Sequence, residues 1–247
     1  MHSITVDLLS RLQTGFANAG FVLFEVKPLA ALPPSIWLKP FTQQHGSLLL
    51  LGQAGKSFWP PYKASQPEGD DPVDDYSADI SEQLLTEFLP KIAKQRLFPD
   101  PECPVNLMAL GRELGWHTPS PLGLGIHRKY GLWSAYRALW WLDALPEREQ
   151  TDASPCDEHT ETTVCADCRT QDCVRRCPVE AIKYGNMPDI TRCADYRYQP
   201  GSHCDNGCQA RLACPVAAEH RYSDEQFNYH YDLKRSMLHQ YRSAKSS

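Results

Sequence analysis

Hydrophobic residues in the first part of the chain follow first a helical and then a strand-like spacing. Leu8, Leu12 and Phe16 recur at helical intervals behind Ser3, which we expect to cap the helix. The segment FVLFEV that follows is typical of a strand, as is the run GSLLLLGQ after a proline turn. Residues 60–74 are polar and rich in proline, so they predict a loop.

The next part of the chain is predicted to be helical and then extended. Apolar residues at helical spacing predict an amphipathic helix over residues 81–97, with a break at Pro90. The segment PVNLMALGREL, with Pro104 in its first turn, predicts a second helix. The aromatic content of residues 122–142 favours strand. Alternating helices and strands predict an α/β layer architecture for residues 1–150.

The composition of the chain changes after this first domain. A polar stretch leads into a cysteine-rich module, predicted to span residues 155–220. Residues 221–247 form a tail that is predicted to be helical. Ser223 and Gln226 have the spacing of a capping box, and apolar residues such as Phe227 follow on one side of the helix. We expect this helix to pack on the body of the protein.

Charge and cysteine usage limit the classes of function. The formal net charge is −5, with 25 Lys and Arg against 30 Asp and Glu, so a broad phosphate-binding surface is absent and nucleic acid is a disfavoured partner. The N-terminal residues lack the pattern of a signal peptide, and no apolar run has the length of a membrane span, so we expect a soluble cytoplasmic protein. In a reducing compartment the 10 cysteines are better explained as metal ligands than as disulfides.

Eight of these cysteines form two runs that each end in Cys-Pro. The runs are Cys165, Cys168, Cys173 and Cys177, then Cys193, Cys204, Cys208 and Cys214. Such pairs of runs hold two [4Fe–4S] clusters by exchanging their fourth cysteines. The expected ligand sets are therefore Cys165, Cys168, Cys173 and Cys214 for one cluster, and Cys177, Cys193, Cys204 and Cys208 for the other.

The spacing of both runs departs from the usual ferredoxin pattern. Two extra residues separate Cys168 from Cys173, and the second run is looser still. A pair of tetrahedral zinc sites is the competing interpretation, because CxxC is equally suited to zinc. Two Cys-Pro endings and the segment CPVEAI favour iron–sulfur clusters. Cys103 and Cys156 lie outside both sets, and we interpret them as bystanders.

Two segments of the first domain resemble the CblC-type cobalamin-processing proteins. They are DPVDDYS, which contains Asp71 and Asp74, and GIHRKYGLWSAYRALWWL, which spans residues 125–142. The resemblance implies a nitroreductase-like fold that binds a corrinoid. Together with two [4Fe–4S] clusters, the chain is similar to epoxyqueuosine reductase and the corrinoid-dependent reductive dehalogenases. In those relatives the clusters pass electrons to a base-off cobalamin.

The family motif in the second segment falls on His127, Gly131, Trp133 and Arg137. The resemblance implies that His127, Trp133 and Arg137 contribute to cofactor binding, with Arg137 lining the pocket. Structural alternatives exist for each of them. His127 has the pattern of an ordinary hydrogen-bonded histidine near a strand end, an internal ion pair would satisfy Arg137, and Trp133 is compatible with core packing.

The chain departs from epoxyqueuosine reductase at that family's catalytic motif. Pro101 occupies the register of the catalytic aspartate, with Asp100 and Glu102 beside it. The lysine that follows the Gly-Trp pair in the family is missing after Trp116. We therefore expect tRNA modification to be an unlikely activity for this chain.

These observations predict an iron–sulfur redox protein whose clusters feed electrons to a bound cobalamin. Its expected partners are a corrinoid and an electron-donor protein, and no catalytic residue is identified by the motifs. One alternative is a ferredoxin-type electron carrier whose first domain docks to a partner oxidoreductase. Another is a flavin-dependent reductase, since nitroreductase-like folds commonly bind FMN.

Overall fold

The computed structural model describes residues 2–147 and 164–232. The chain divides into two compact units: the first unit comprises Met1–Trp116 and Ser134–Glu161, and the second unit comprises His117–Trp133 and Thr162–Ser247. The division differs from the predicted first domain of residues 1–150, because the segment 117–133 belongs with the cysteine-rich part of the chain. Among the described residues, no helix combines the length and apolar character needed to span a membrane.

The described helices and strands are mostly short. The strands are β1 (His2–Ile4), β2 (Leu23–Pro28), β3 (Ser47–Ala54), β4 (Lys94–Phe98), β5 (Thr118–Pro119), β6 (Gly125–Ile126), β7 (Ser134–Leu142) and β8 (Ala144–Pro146). The α-helices are α1 (Val6–Asn18), α2 (Trp59–Ser65), α3 (Pro72–Phe88), α4 (Leu107–Glu113), α5 (Asp172–Arg175), α6 (Ile190–Arg197) and α7 (Gln209–Ala213). Residues 224–232 are also helical. The remainder of the predicted tail lies outside the described residues.

The first unit is built on a four-stranded antiparallel sheet with strand order β2-β3-β7-β4. Strand β3 is buried along its whole length, which explains its continuous apolar run. Leu48 and Leu50 pack with Trp141 in one core cluster. On α3, Ser81 accepts a hydrogen bond from the Trp140 indole at 2.9 Å. Each fully buried leucine contributes about 1.5–3 kcal/mol to stability relative to an exposed one.

The second unit has little regular structure. Its two strands, β5 and β6, form a two-residue ladder, and its helices α5 to α7 are four to eight residues long. One small core contains Ile126, Leu132 and Cys214, and another contains Trp133 with Tyr222 and Phe227. Residues from the segment 117–133 contribute to both cores. This shared packing explains why the segment belongs with the cysteine-rich part.

The cap of the first helix differs from the prediction. Thr5, not Ser3, caps α1, and its Oγ1 accepts a hydrogen bond from the Leu8 amide at 3.3 Å. Ser3 instead lies in β1, where its hydroxyl donates to a carboxylate oxygen of Glu147. The helix starts later because β1 pairs with β8, a long-range contact that keeps residues 2–4 extended.

The predicted loop over residues 60–74 is correct only for residues 66–71. Helix α2 occupies its first part, and α3 begins at Pro72. Prolines occupy the first turn of α2, where a backbone N–H needs no helical partner. The helix is held by burial of Trp59 and Tyr62. Pro60, Pro61 and Pro72 thus mark helix starts.

The helix predicted over residues 81–97 is correct only in its first half. Helix α3 ends at Phe88, before Pro90, and residues 94–98 form β4, which pairs with β7. Strand pairing overrides the helical spacing there. The helix predicted around PVNLMALGREL begins at Leu107, after an Asn106 cap that accepts from the Ala109 amide.

Candidate metal centre

Short helices separated by turns carry the cysteines of the second unit. Helix α5 contains Cys173, α6 contains Cys193, and α7 lies between Cys208 and Cys214. Cys208 caps α7, and its Sγ accepts a hydrogen bond from the Arg211 amide at 3.4 Å. Helices of this length have little stability of their own. Packing within the unit must therefore hold them.

The first thiol group consists of Cys165, Cys168, Cys173 and Cys214. Burial raises the pKa of Cys165 to about 11, and its three neighbours Cys214, Cys173 and Cys168 add to the rise. Burial also raises the pKa of Cys173, with further contributions from Cys214 and Cys168. Thiols affect one another electrostatically in this way when they lie close together, so the four form one set.

The second thiol group consists of Cys177, Cys193, Cys204 and Cys208. Burial raises the pKa of Cys193 to about 11, and the other three thiols contribute to the rise. Burial likewise raises the pKa of Cys204, where Cys208 and Cys177 contribute. The Cys177 Sγ accepts a hydrogen bond from the Ala181 amide at 3.3 Å. Hydrogen bonds to sulfur of this kind stabilise a thiolate and tune an iron–sulfur cluster.

The electrostatic neighbours of Cys165 and Cys193 agree with an exchange of fourth cysteines, which itself stays a prediction. Cys214, from the second run, lies with the first run, and Cys177, from the first run, lies with the second. The extra residues between Cys168 and Cys173 are accommodated by the turn before α5, where Gln171 has a left-handed backbone with φ of 46°. The assignment of the eight thiols as cluster ligands stays a prediction.

The donor set fits an iron–sulfur cluster. Four soft thiolates are the ligands that a [4Fe–4S] cluster takes from a protein. Within residues 2–147 and 164–232, no three His, Cys, Asp or Glu side chains converge as they would on a single metal ion. Because burial raises the pKa values of Cys165 and Cys193, these thiols carry protons, and the binding of a cluster to them must release those protons.

Cys103 and Cys156 lie outside both thiol groups. Cys103 lies in the first unit, packs against the core cluster that contains Trp141, and donates its S–H to the Val105 carbonyl at 3.6 Å. This environment is that of a structural cysteine. Cys156 lies outside the described residues.

His127 is held in a tight turn of the second unit. Its backbone exchanges two hydrogen bonds with Gly131, and its Nδ1 accepts from the amides of Lys129 and Tyr130 at 3.0 and 3.2 Å. Burial, with the nearby Lys129 and His220, lowers the pKa of His127, which favours the neutral ring. With Nδ1 accepting, the neutral ring carries its proton on Nε2. His127 is therefore suited to donate to an acceptor and not to coordinate a metal through Nε2.

Trp133 is completely buried in the second unit. Its indole packs against Tyr222 at 5.4 Å and Phe227 at 5.9 Å between ring centroids, and the Arg211 guanidinium lies over it at 4.8 Å. These contacts are those of a core residue, which is the structural alternative left open by its sequence motif. The side chain exposes no surface to a ligand in this structure.

Arg137 lies on β7 in the first unit. Its Nε donates to Gln53 Oε1 at 3.0 Å, and its guanidinium lies 5.3 Å from the centre of the Phe58 ring. The side chain is half-buried, and Gln53 is one of its polar partners. The first unit thus contains Arg137, whereas His127 and Trp133 belong to the second.

The acidic motif of the first unit serves a helix start. Asp71 precedes α3, and its carbonyl accepts from the amides of Asp74 and Asp75. Asp74 and Asp75 lie in the first turn, where negative charge complements the helix dipole. This arrangement accounts for the DPVDD pattern without a ligand.

Sequence reasoning missed three side chains that lie near the second thiol group: Arg197, Arg211 and Tyr231. Arg197 follows Cys193 by one helical turn on α6, a spacing that could have identified it. Arg211 stacks on the aromatic core around Trp133 and donates to the Leu132 carbonyl at 2.7 Å. No local pattern relates Tyr231 to the cysteines, because it reaches them through the fold of the terminal helix.

No protein-family model and no curated protein sequence matches the chain. Among solved structures, epoxyqueuosine reductase bound to a modified tRNA-Tyr stem loop is similar with a TM-score of 0.57 and 12% identity, over 90% of this chain and 68% of that one. A catabolic reductive dehalogenase in complex with 3-bromo-4-hydroxybenzoic acid is similar with a TM-score of 0.52 and 13% identity, over 94% of this chain. The chain spans 35% of the length of that dehalogenase. At these identities the likeness shows that the chain shares a mixed α/β fold with both enzymes.

Proposed function

We propose that this chain is an iron–sulfur redox protein that reduces a bound corrinoid and removes its upper ligand. The observation that supports the proposal is that Cys214 acts electrostatically on Cys165 and Cys177 on Cys193, as two sets of four thiols with one cysteine exchanged in each direction would require. The shared fold adds support, because one dehalogenase structure with that fold, similar at a TM-score of 0.52, is described in connection with B12-dependent dehalogenation.

Two [4Fe–4S] clusters would be held by the first and second thiol groups. Bound clusters would supply single electrons at low potential. The protein's own contribution is to bury the thiols, to donate backbone N–H groups to sulfur at Cys177 and Cys208, and to hold both sets within one compact unit. Attachment to the same chain as the acceptor raises the effective concentration of the donor.

The corrinoid is the substrate in this proposal. Each electron received would lower the oxidation state of cobalt by one, and an anionic upper ligand such as hydroxide would leave with its bonding electron pair. The electrons enter from an external donor protein, which is the second partner of the chain. Arg137 offers a charged hydrogen-bond donor for the amide or phosphate groups of the corrinoid.

The substrate differs from that of epoxyqueuosine reductase in this proposal. Asp100 accepts a hydrogen bond from the Glu102 amide, and Glu102 forms an ion pair with Lys39. Both carboxylates next to Pro101 are therefore engaged in local contacts, and neither stands in the register of the catalytic aspartate. With a net charge of −5, the chain also lacks the basic character that favours tRNA.

Anaerobic purification followed by cobalamin titration tests the proposal. The expected protein contains the iron and sulfide of two cubane clusters, and hydroxocobalamin added to it is retained on gel filtration with a changed visible spectrum. Reduction of the complex with a low-potential donor then produces the spectrum of reduced cobalamin. A protein that carries both clusters but neither retains nor spectrally perturbs hydroxocobalamin or methylcobalamin contradicts the corrinoid function.

The same experiment distinguishes the alternatives. An electron carrier that docks to a partner oxidoreductase would hold both clusters, transfer their electrons to that partner and not bind cobalamin. A flavin-dependent reductase would purify with a yellow cofactor that is released on denaturation. The thiol groups alone are compatible with the first of these, which makes the cobalamin titration the deciding measurement.

A further inference from the structure

Arg197 occupies an unusual position for a charged residue of the second unit. It lies one turn after Cys193 on α6, so the two side chains share a face of the helix. Its guanidinium carbon lies 4.5 Å from the centre of the Tyr231 ring. Its Nε is buried and has no hydrogen-bond acceptor within the part of the chain that the structure describes.

Tyr231 contacts both Arg197 and the second thiol group. Its ring packs on Phe227 at 4.9 Å, and its hydroxyl donates a hydrogen bond to the thiol of Cys208. Cys208 Sγ also accepts from the Arg211 amide. The second thiol group therefore has a cation on the side of Cys193 and a phenol donor on the side of Cys208.

The surroundings of the first thiol group differ in charge. Arg221 lies near Cys214, but its guanidinium donates to the Cys214 carbonyl oxygen at 3.2 Å. Asp172, at the start of α5, also acts on Cys214 and carries the opposite charge. The positive charge near the first group is thus opposed by a carboxylate, whereas the stacked face of Arg197 is covered by an aromatic ring.

We propose that Arg197 and Tyr231 give the cluster of the second thiol group the higher reduction potential of the two, so that it accepts the first electron. This inference rests on the proposed pair of clusters. Reduction adds one negative charge to a cluster, and a nearby cation or a hydrogen bond to a ligand sulfur stabilises that charge. Arg197 and Tyr231 act through Cys193 and Cys208, and are positioning residues.

A redox titration of the holoprotein, followed by electron paramagnetic resonance, tests this order. Dithionite supplies one electron to each cluster, which passes from the 2+ to the 1+ state without a proton. The wild-type protein is expected to show two midpoint potentials. Arg197→Gln should shift the higher potential to a more negative value, and Tyr231→Phe should shift it in the same direction, with the lower potential unchanged in both.

Arg192→Gln is the matched control. Arg192 lies on the same helix and next to Cys193, but it is exposed, so water screens its charge and both potentials should stay in place. If Arg197→Gln loses iron, Tyr231→Phe decides the matter, because it removes one hydroxyl and keeps the ring that packs on Phe227.

The inference and the proposed function fail in different ways. The inference is overturned if Tyr231→Phe holds two clusters with unchanged potentials. It is also overturned if the lower potential shifts instead of the higher one. Either result leaves the proposed function standing. A wild-type protein without iron–sulfur signals overturns both. A protein that shows the expected shifts in reduction potential but does not bind cobalamin supports the inference and contradicts the corrinoid function.

Discussion

Cys214 interacts electrostatically with Cys165, although the two residues lie at opposite ends of the cysteine-rich segment. Packing brings them together: Cys214 is buried with Ile126 and Leu132, and Cys165 packs against the same small core. The chain therefore closes the first thiol group by folding back on itself, with residues of the segment 117–133 between its ends.

This arrangement predicts which cysteine substitutions act on the same cluster. Cys173→Ala and Cys214→Ala should each remove the cluster of the first thiol group, and Cys177→Ala should remove the other. Iron analysis is expected to give about half of the wild-type content in each variant, and electron paramagnetic resonance should show the same surviving signal for the first two.

Cys103→Ala is the control for this series, because Cys103 packs against the core of the first unit and its substitution should leave the iron content unchanged. Full iron content in Cys173→Ala would refute the ligand assignment. Identical surviving signals in Cys177→Ala and Cys173→Ala would refute the exchange.

Gly131→Ala is predicted to disturb the first thiol group from a distance in sequence. Gly131 has a φ of 57°, and an added Cβ would lie 2.5 Å from the Val216 carbonyl oxygen. Val216 follows the Cys-Pro ending of the second run, so the clash should displace Cys214. We expect a lower iron content and a loss of about 1–3 kcal/mol in the free energy of unfolding.

Gly185→Ala tests the effect of backbone strain in the absence of a steric clash. Gly185 has a φ of 78°, but no atom lies within 4 Å of the position of an added Cβ. This variant should lose some stability from backbone strain and keep its full iron content. Equal iron content in the two glycine variants would show that the contact with Val216 does not matter.

Arg137→Met is predicted to weaken corrinoid binding while leaving both clusters in place. The substitution removes a charged donor from β7 and retains an aliphatic side chain that can still lie over Phe58. Loss of one charge-assisted hydrogen bond should weaken cobalamin retention by roughly tenfold or more, measured by optical titration.

Arg96→Met provides the comparison for Arg137→Met, because Arg96 lies on β4 of the same sheet and pairs with Glu82 at the surface. The corrinoid affinity of Arg96→Met should equal that of the wild type. Unchanged affinity in Arg137→Met would remove this residue from the proposed pocket.

The stability of the first unit should fall at high pH because of Tyr76. Burial raises the pKa of Tyr76 to about 12, and its hydroxyl donates to the Ala19 carbonyl at 3.0 Å. Since the folded state favours the neutral phenol, this stabilisation is complete below the ordinary value of 10.0 and is lost as pH rises from 10.0 to about 12.

Denaturation by urea at pH 8 and pH 11 measures this effect. The wild-type protein should lose stability on the order of 1 kcal/mol more than Tyr76→Phe between these two pH values, because the variant has no phenol to ionise. Tyr184→Phe, which changes an exposed tyrosine, should behave like the wild type. Parallel losses in Tyr76→Phe and the wild type would exclude Tyr76 as the cause.

Local sequence patterns predicted the strands and the helix cap that depend on side-chain composition and on neighbouring residues. The apolar run at β3 and the aromatic stretch at β7 are strands, as their composition indicates, because a buried strand needs apolar residues on both faces. Ser223 caps the terminal helix as its spacing predicts, with the Gln226 amide donating to its hydroxyl at 3.2 Å. The prediction failed where long-range pairing decided the outcome, as in β1 and β4.

The sequence alone determined the identity and spacing of the eight thiols, because these are properties of the chain and not of its path in space. Tertiary structure decided that the segment 117–133 belongs with the cysteine-rich unit and that Trp133 lies in its core. It also decided that Arg197 and Tyr231 meet near Cys193 and Cys208. Such contacts join residues far apart in sequence, and their free energy depends on packing and burial that no local pattern encodes.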